Sequence, residues 1–463
     1  MEPLKLKDIA KAIGQFSTSE QTVERISTDT RAIIPRSVFL ALKGERYDGH
    51  QFAQQAVNEG AIAIIAESPV SVSNGIPVFT VPSTRGALLQ LAQYYRMRFQ
   101  IPIIAVTGSV GKTTTKEMIV AALSVRYRTL KTEANLNNEI GLPKTLLRLD
   151  HTIEAAVVEM GMDDFGQIHN MSMAALPSIA VITNIGHCHI QTLGSQAGIL
   201  KAKMEILDGM DDASPVILNG DDPLLAEEAA KLKNPVLLYG IDAPDCDIRA
   251  VDIEEGEFGL RFRVTVPSMK LNVPVAIPAY GRHLVLDALA AFAVGMMLQV
   301  DPADMAEGLS AYVPSGMRQH IVHASGITVV EDCYNASPDS VQATLRALQH
   351  MSTGRKLAVL GDMLELGDYT EEGHRTCGRC AAELGIPILA VGEASRFTAE
   401  EARSHGGTAE WFPDKESAAE PLLQMLRPGD TVLFKASHGI HMEELMTRIY
   451  AVWTKESEPS AEK

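Results

Sequence analysis

Aromatic residues are scarce in this chain: 12 Phe, 10 Tyr and 2 Trp among 463 residues. A nucleic-acid surface built on stacked rings is therefore not its design. Positive charge is also in deficit. Lys and Arg number 41 against 58 Asp and Glu, a formal charge of -17, and binding that runs on phosphate neutralisation is disfavoured. Long apolar runs are missing too. The longest, Ala288 to Val300, is interrupted by Gly295 and Gln299 and is too short to span a bilayer. The amphipathic start, MEPLKLKDIAKAIG, lacks the apolar centre of a signal peptide. Five scattered cysteines form no secreted framework, and Cys377-x-x-Cys380 stands in a helical-looking stretch without a second pair. A cytoplasmic chain is expected, with no nucleic-acid partner and no membrane insertion, acting as a monomer on small molecules.

What is present is a globular composition, 46% apolar, in a length that suggests two to four domains. The chemistry centres on residues 101–116, IPIIAVTGSVGKTTTK. A buried β-branched strand runs into a glycine turn and then a helix. Turn N–H groups and the positive helix end converge on one point, which suits a phosphate chain. Gly108 and Gly111 allow close approach, Lys112 can reach β/γ-phosphates, and the Thr113 hydroxyl can ligate Mg²⁺. Val106 stands where the common form of this motif has its first glycine.

TGSVGKTTTKEM resembles the ATP loop of the Mur ligase family, which builds the peptide stem of bacterial cell-wall precursors. Other stretches resemble that family in chain order. STDTR (27–31) and the run from Phe39 through Lys43 and Gly44 to Ala53 resemble the first domain of the branch that adds D-alanyl-D-alanine. NLNN-x-x-G-x-P (135–143) resembles its cleft loop. Asn184 to His189 resembles an N-x-x-x-x-H strand end, and 332–340, DCYNASPDS, the branch's D-x-Y-N-A-N-P-x-S, with Ser337 in place of an Asn. Four positions depart further. Leu284 and Asp287 stand where the family has the asparagines it uses near adenine, and Lys435-Ala436-Ser437-His438 replaces Lys-Gly-Ser-Arg.

The resemblance implies an α/β chain of three domains. These are a small substrate-binding domain with a linker helix over 1–98, a central ATP-binding parallel sheet over 99–314 and a Rossmann-like domain over 315–463, with a hinge near Val313–Arg318. It implies ATP-dependent, ADP-forming amide synthesis through an acyl phosphate, joining D-Ala-D-Ala to a UDP-N-acetylmuramoyl tripeptide. Gly108, Ser109, Val110, Gly111, Lys112, Thr113 and Thr114 would hold the phosphates, with Arg318 and Asp332 closing over the nucleotide. Thr113, Glu159, His189 and a carbamylated Lys203 would serve two Mg²⁺ ions. Ser27, Thr28, Asp29, Arg31, Lys43, Gly44, Asn137, Asn138, Asn335 and Lys435 would contact substrates. From residue types alone, His187-Cys188-His189 could be read as part of a zinc site and Glu159 as a solvated strand end. Two other functions stay open: a family ligase with a different acceptor, and a nucleotide-gated binding protein without ligase chemistry.

The local patterns also predict a helix over 4–13, a single helix over 193–206, an antiparallel extension over 236–280 and a frayed polar tail from 454.

Overall fold

Parallel strands with helical crossovers recur along the chain, as the alternation of short apolar runs and amphipathic segments predicts. The computed structural model describes residues 1–44, 47–73, 75–256, 259–314, 316–351 and 354–454. The expected tail beyond 454 and Ser315 of the expected hinge lie outside them. The chain forms two compact units. One comprises Met1–Thr107, Tyr127–Val181 and Met204–Pro215; the other comprises Gly108–Arg126, Ile182–Lys203 and the chain from Val216 onward.

The first unit holds a parallel four-stranded sheet, in order Arg25–Ser27, Ser37–Leu40, Ala61–Ala66 and Val78–Thr80. The predicted helix over 4–13 starts late. Leu4–Lys5 pairs antiparallel with Thr22–Val23, and the helix is Leu6–Ala12. Helix Thr84–Arg96 begins on Ser83, whose hydroxyl accepts from the Gly86 N–H. Its buried stripe is Thr84, Ala87, Leu88, Leu91, Ala92 and Tyr95. The same unit carries strand Ile103–Thr107, which pairs parallel with Ala155–Glu159, itself parallel to Thr129–Lys131. All five residues of Ile103–Thr107 are buried, as befits a parallel strand covered on both faces.

In the second unit, Val216–Asn219 pairs with Val236–Gly240, and that strand with Ile248–Gly256, both parallel. Only from there do Gly259–Val266 and Leu271–Ile277 continue antiparallel. The predicted antiparallel extension therefore starts later than expected. Helix Pro223–Ala229, capped by Asp222, supplies the crossover that a parallel partner requires. The expected single helix over 193–206 is broken: Ile190–Leu193 ends at Gly194, and Gln196–Met204 starts anew.

The last sheet runs His320–Ala324, Ile327–Glu331, Thr431–Lys435, Lys356–Gly361, Ile388–Val391 and Ala409–Phe412. Its first pair is antiparallel and the rest are parallel. Val329, Leu357 and Val359 face one core, and Val330, Ala358 and Leu360 the other. This two-sided burial is the Rossmann-like arrangement expected there.

Candidate active site

The glycine turn is built by close approach. A Cβ on Gly108 would lie 1.9 Å from the Thr183 hydroxyl, so no other residue fits. Asn184 then clamps the turn. Its carbonyl accepts from the Ser109 N–H (3.0 Å), its side-chain oxygen accepts from the Val110 N–H (2.9 Å), and its amide donates back to the Val110 carbonyl (2.9 Å). Thr183 donates to that same carbonyl at 2.6 Å, and the Ser109 hydroxyl accepts from the Gly186 N–H. Gly111, with φ 86°, caps helix Lys112–Ser124. The Lys112 ammonium folds back onto the carbonyls of Gly108 (2.9 Å) and Ser109 (3.3 Å). That places the cation at the mouth of the turn, on acceptors that a phosphate oxygen can replace. Thr113 is buried in the first helical turn, with Thr114 half-buried beside it.

Glu159 ends its strand buried rather than solvated. It is 2% exposed, and its carboxylate accepts from the Asn137 amide at 2.8 Å. Its N–H donates to the Thr132 hydroxyl. The asparagine run divides its labour: Asn137 holds Glu159, whereas the Asn138 side chain accepts from the N–H groups of Ile140 and Gly141 and starts helix Gly141–Leu146.

The two histidines after strand Ile179–Ile182 face different partners. The His187 ring stacks on Tyr369 at 4.7 Å and its Nδ1 lies 3.3 Å from Asp339. His189, in the left-handed region at φ 62°, sets Nδ1 2.9 Å from Glu365, which lowers the carboxyl pKa of Glu365. Among the described residues no group of three or more His, Cys, Asp or Glu is gathered as for a metal, so the zinc reading finds no ligand set. A carboxylate on one ring nitrogen does leave the other oriented, the usual arrangement of a metal-binding histidine. On helix Gln196–Met204, Lys201 is exposed and Lys203 is 2% exposed. Burial, then the charge of Lys112, pushes the Lys203 pKa well below its ordinary value.

In the last sheet the expected contacts are largely paired with one another. Lys435, 3% exposed, bonds Asp332 at 2.6 Å and the Asn335 carbonyl at 3.3 Å. Thr344 donates to the same Asp332 oxygen. Neither charge is a solvated strand exit. The Arg318 guanidinium lies 3.6 Å from the centre of the Tyr334 ring, and the His438 ring stacks with that ring at a centroid distance of 5.9 Å. Asn335 is exposed, its side-chain oxygen accepting from the Ala336 N–H. Ser337 completes a reciprocal capping box with Ser340 at the start of helix Pro338–Leu348. Cys377 and Cys380 are buried thiols whose pKa values burial pushes up, the opposite of a reactive pair.

Among the N-terminal candidates, Ser27 is buried and its hydroxyl donates to the Asp29 carbonyl, with Thr28 half-buried between them. Asp29 grips Arg31 through Nε and the terminal nitrogen, at 3.0 and 2.7 Å, and that guanidinium pulls its pKa to about 2. Lys43 and Gly44 are exposed; Lys43 pairs with Asp48 through the backbone in an isolated antiparallel β-bridge, and the Gly44 N–H donates to the Tyr47 carbonyl.

Several residues escaped the sequence reading. Lys144 is half-buried and interacts with Asp29. His50 lies between Asp48 and the Glu67 N–H. Asn184, Glu365 and Asp339 join the turn and the histidines. Asp287, read only as a departure, accepts from Thr115 on the loop helix. Of these, Asn184 alone carried a sequence signal, as the first residue of the N-x-x-x-x-H run. The others pair across long stretches of chain, which residue types do not announce.

Three family profiles cover most of the chain: Mur ligase family, catalytic domain at 22–98; Mur ligase middle domain at 106–295; and Mur ligase, glutamate ligase domain at 317–438. The chain is 39% identical to the UDP-N-acetylmuramoyl-tripeptide–D-alanyl-D-alanine ligase of Bacillus subtilis, over 92% of this chain and 93% of that one. To the ligase of the same name from Escherichia coli it is 34% identical, over 94% and 95%. Among solved structures, MurF from Acinetobacter baumannii superposes with a TM-score of 0.89 at 34% identity, covering 97% and 99%. MurF ligase from Thermotoga maritima in complex with ADP gives 0.83 at 28%, covering 92% and 97%. With these likenesses running nearly end to end, the chain belongs to the Mur ligase family.

Proposed function

We propose that this chain is the ATP-dependent, ADP-forming ligase that joins D-alanyl-D-alanine to a UDP-N-acetylmuramoyl tripeptide in cell-wall precursor synthesis. The observation that carries the reading is the Asn184-clamped turn with Lys112 at its mouth, in a chain whose full-length relatives bear that ligase's name. The substrate carboxylate oxygen attacks the γ-phosphorus and ADP leaves; the dipeptide amine then attacks the acyl carbon and phosphate leaves. Such chemistry rests on positioning and charge neutralisation. Lys112 and the amides of 108–114 hold the phosphates, and Arg318 and Asp332 attend the nucleotide. Ser27, Thr28, Asp29, Arg31, Lys43, Gly44 and Asn137 contact the uridylyl substrate. Asn138, Asn335 and Lys435 join as contacts once they are released from their present partners.

Taken one by one, the expected donors have the chemistry that suits Mg²⁺. The Thr113 hydroxyl and the buried Glu159 carboxylate are hard oxygen ligands, and His189 is pre-oriented by Glu365. Bound there, the ion would neutralise phosphate charge. Lys203 is buried, and burial and the Lys112 charge lower its pKa, the direction that favours the neutral amine a carbamate requires. Nothing else in the structure calls for that modification. A ¹³C-bicarbonate NMR signal tests it directly, and a free amine at Lys203 in active enzyme removes it. Division of labour among 1–98, 99–314 and 315–463, action as a monomer and a cytoplasmic setting belong to the same proposal. Among the described residues no helix is long and apolar enough to cross a membrane.

The test is ADP release with the tripeptide nucleotide while D-Ala-D-Ala and single amino acids are offered in turn. Release that depends on the dipeptide alone supports the reading. Release with a single amino acid moves the chain to another acceptor, and none with any acceptor leaves only a nucleotide-binding role.

A further inference from the structure

Asp287 is 6% exposed, on helix Arg282–Met297. Its Oδ1 accepts from the Thr115 hydroxyl at 2.6 Å, one turn into the helix that follows the phosphate turn. The same oxygen would lie 2.9 Å from a Cβ on Gly111, so the carboxyl packs against the bare face of the residue that caps that helix. It therefore stands behind the turn, against the positive helix end that receives phosphate. At the position where the resemblance leads one to expect an asparagine near adenine, this chain has a carboxyl that contacts the turn and its helix.

We propose that Asp287 is a positioning residue for the phosphate loop, holding Gly111 and Thr115 in place, and that nucleotide binds best when this carboxyl carries its proton. The inference rests on reading 108–114 as the nucleotide site. Protonated, the carboxyl is a neutral hydrogen-bonding group of asparagine's shape. Ionised, it is a resident anion that competes with phosphate for the helix end and repels it. Burial pushes its pKa up to about 7, with the Thr115 hydrogen bond opposing, so both forms are accessible near neutrality. Among the described residues, its charge also acts on the buried hydroxyls of Tyr239, from strand Val236–Gly240, and Tyr312, after helix Pro302–Ser310, both pushed up in pKa by burial first and by the Asp287 charge next. Asp221 and Asp222 act on Tyr239, and Glu117 and Arg318 act on Tyr312. Because an anionic ligand favours the protonated carboxyl, affinity is highest below the pKa and falls as pH rises through it.

The experiment is ADP affinity by calorimetry with Mg²⁺ on the full chain, together with ATP KM and kcat, from about pH 6 to about pH 8.5. Wild type should lose about tenfold in affinity across that range, as one added charge near phosphate predicts. Asp287→Asn should show only the nucleotide's own titration, with KM rather than kcat changed. Thr115→Val removes the hydrogen bond that lowers the pKa, so its profile should move to higher pH. Superimposable profiles for wild type and folded Asp287→Asn overturn the proposal, as does an unmoved midpoint in Thr115→Val. A chain that binds ADP with the predicted profile but never ligates would sink the ligase reading alone. Ligation with superimposable profiles would sink this inference alone.

Discussion

Lys112 rests on two carbonyls of its own turn and takes no part in a core. Lys112→Ala should therefore abolish D-Ala-D-Ala-dependent ADP release while circular dichroism and melting stay near wild type; undiminished turnover would remove the phosphate-loop assignment. Lys435 is the opposite case. It is enclosed with Asp332 and Thr344, so Lys435→Ala leaves a carboxylate without its cation and should destabilise the protein by about 3–5 kcal/mol. Denaturant titration checks this. A variant that loses activity without losing stability would give Lys435 a purely substrate-facing role. The chemical types at these positions were legible in the sequence, but which of them face a ligand and which face each other was not, because Asp332 and Lys435 lie 103 residues apart.

At the scale of elements, departures from a family pattern acquire local reasons. Ser337, where the branch has Asn, caps helix Pro338–Leu348 and bonds reciprocally with Ser340. Ser337→Ala should cost about 1 kcal/mol in chemical unfolding, with little effect on ATP KM; a large KM effect with unchanged stability would point instead to a ligand contact. Apolar runs such as 61–66, 103–106 and 155–158 appear as strands because covering both faces favours β-branched and small apolar residues there. The misjudged elements have equally local causes. Residues 193–206 have a helical composition, but Gly194 ends the first turn in a left-handed conformation. The strand at 236–240 is a short apolar run whose residue types do not mark the direction of its pairing, and the crossover helix before it makes that pairing parallel.

Over the whole molecule, each compact unit is assembled from separate stretches of chain. The expected boundary at 98 follows helix Thr84–Arg96, yet that helix is tied to residues well beyond it. The Tyr95 hydroxyl donates to the Leu149 carbonyl at 2.6 Å, Gln93 to that of Met173 at 2.7 Å and Arg96 to that of Ala175 at 2.8 Å. A fragment of residues 1–98 should therefore melt well below the full chain and exchange its helix amides quickly, since it exposes the buried stripe through Leu91 and Tyr95. A fragment as protected as the intact protein would show that the first segment folds alone.

By itself the sequence determined the strand–turn–helix proposed to meet phosphate, the α/β class and the family, because each depends on residues adjacent in the chain: glycines that admit close approach, a lysine one step into the helix, short apolar runs. Tertiary structure alone decided what surrounds that turn. Asn184 clamps it, Asp287 backs it, Glu365 orients His189, and burial rather than residue type sets the Lys203 pKa. Those outcomes follow from desolvation and from hydrogen bonds between distant segments, and neither exists until the chain has folded.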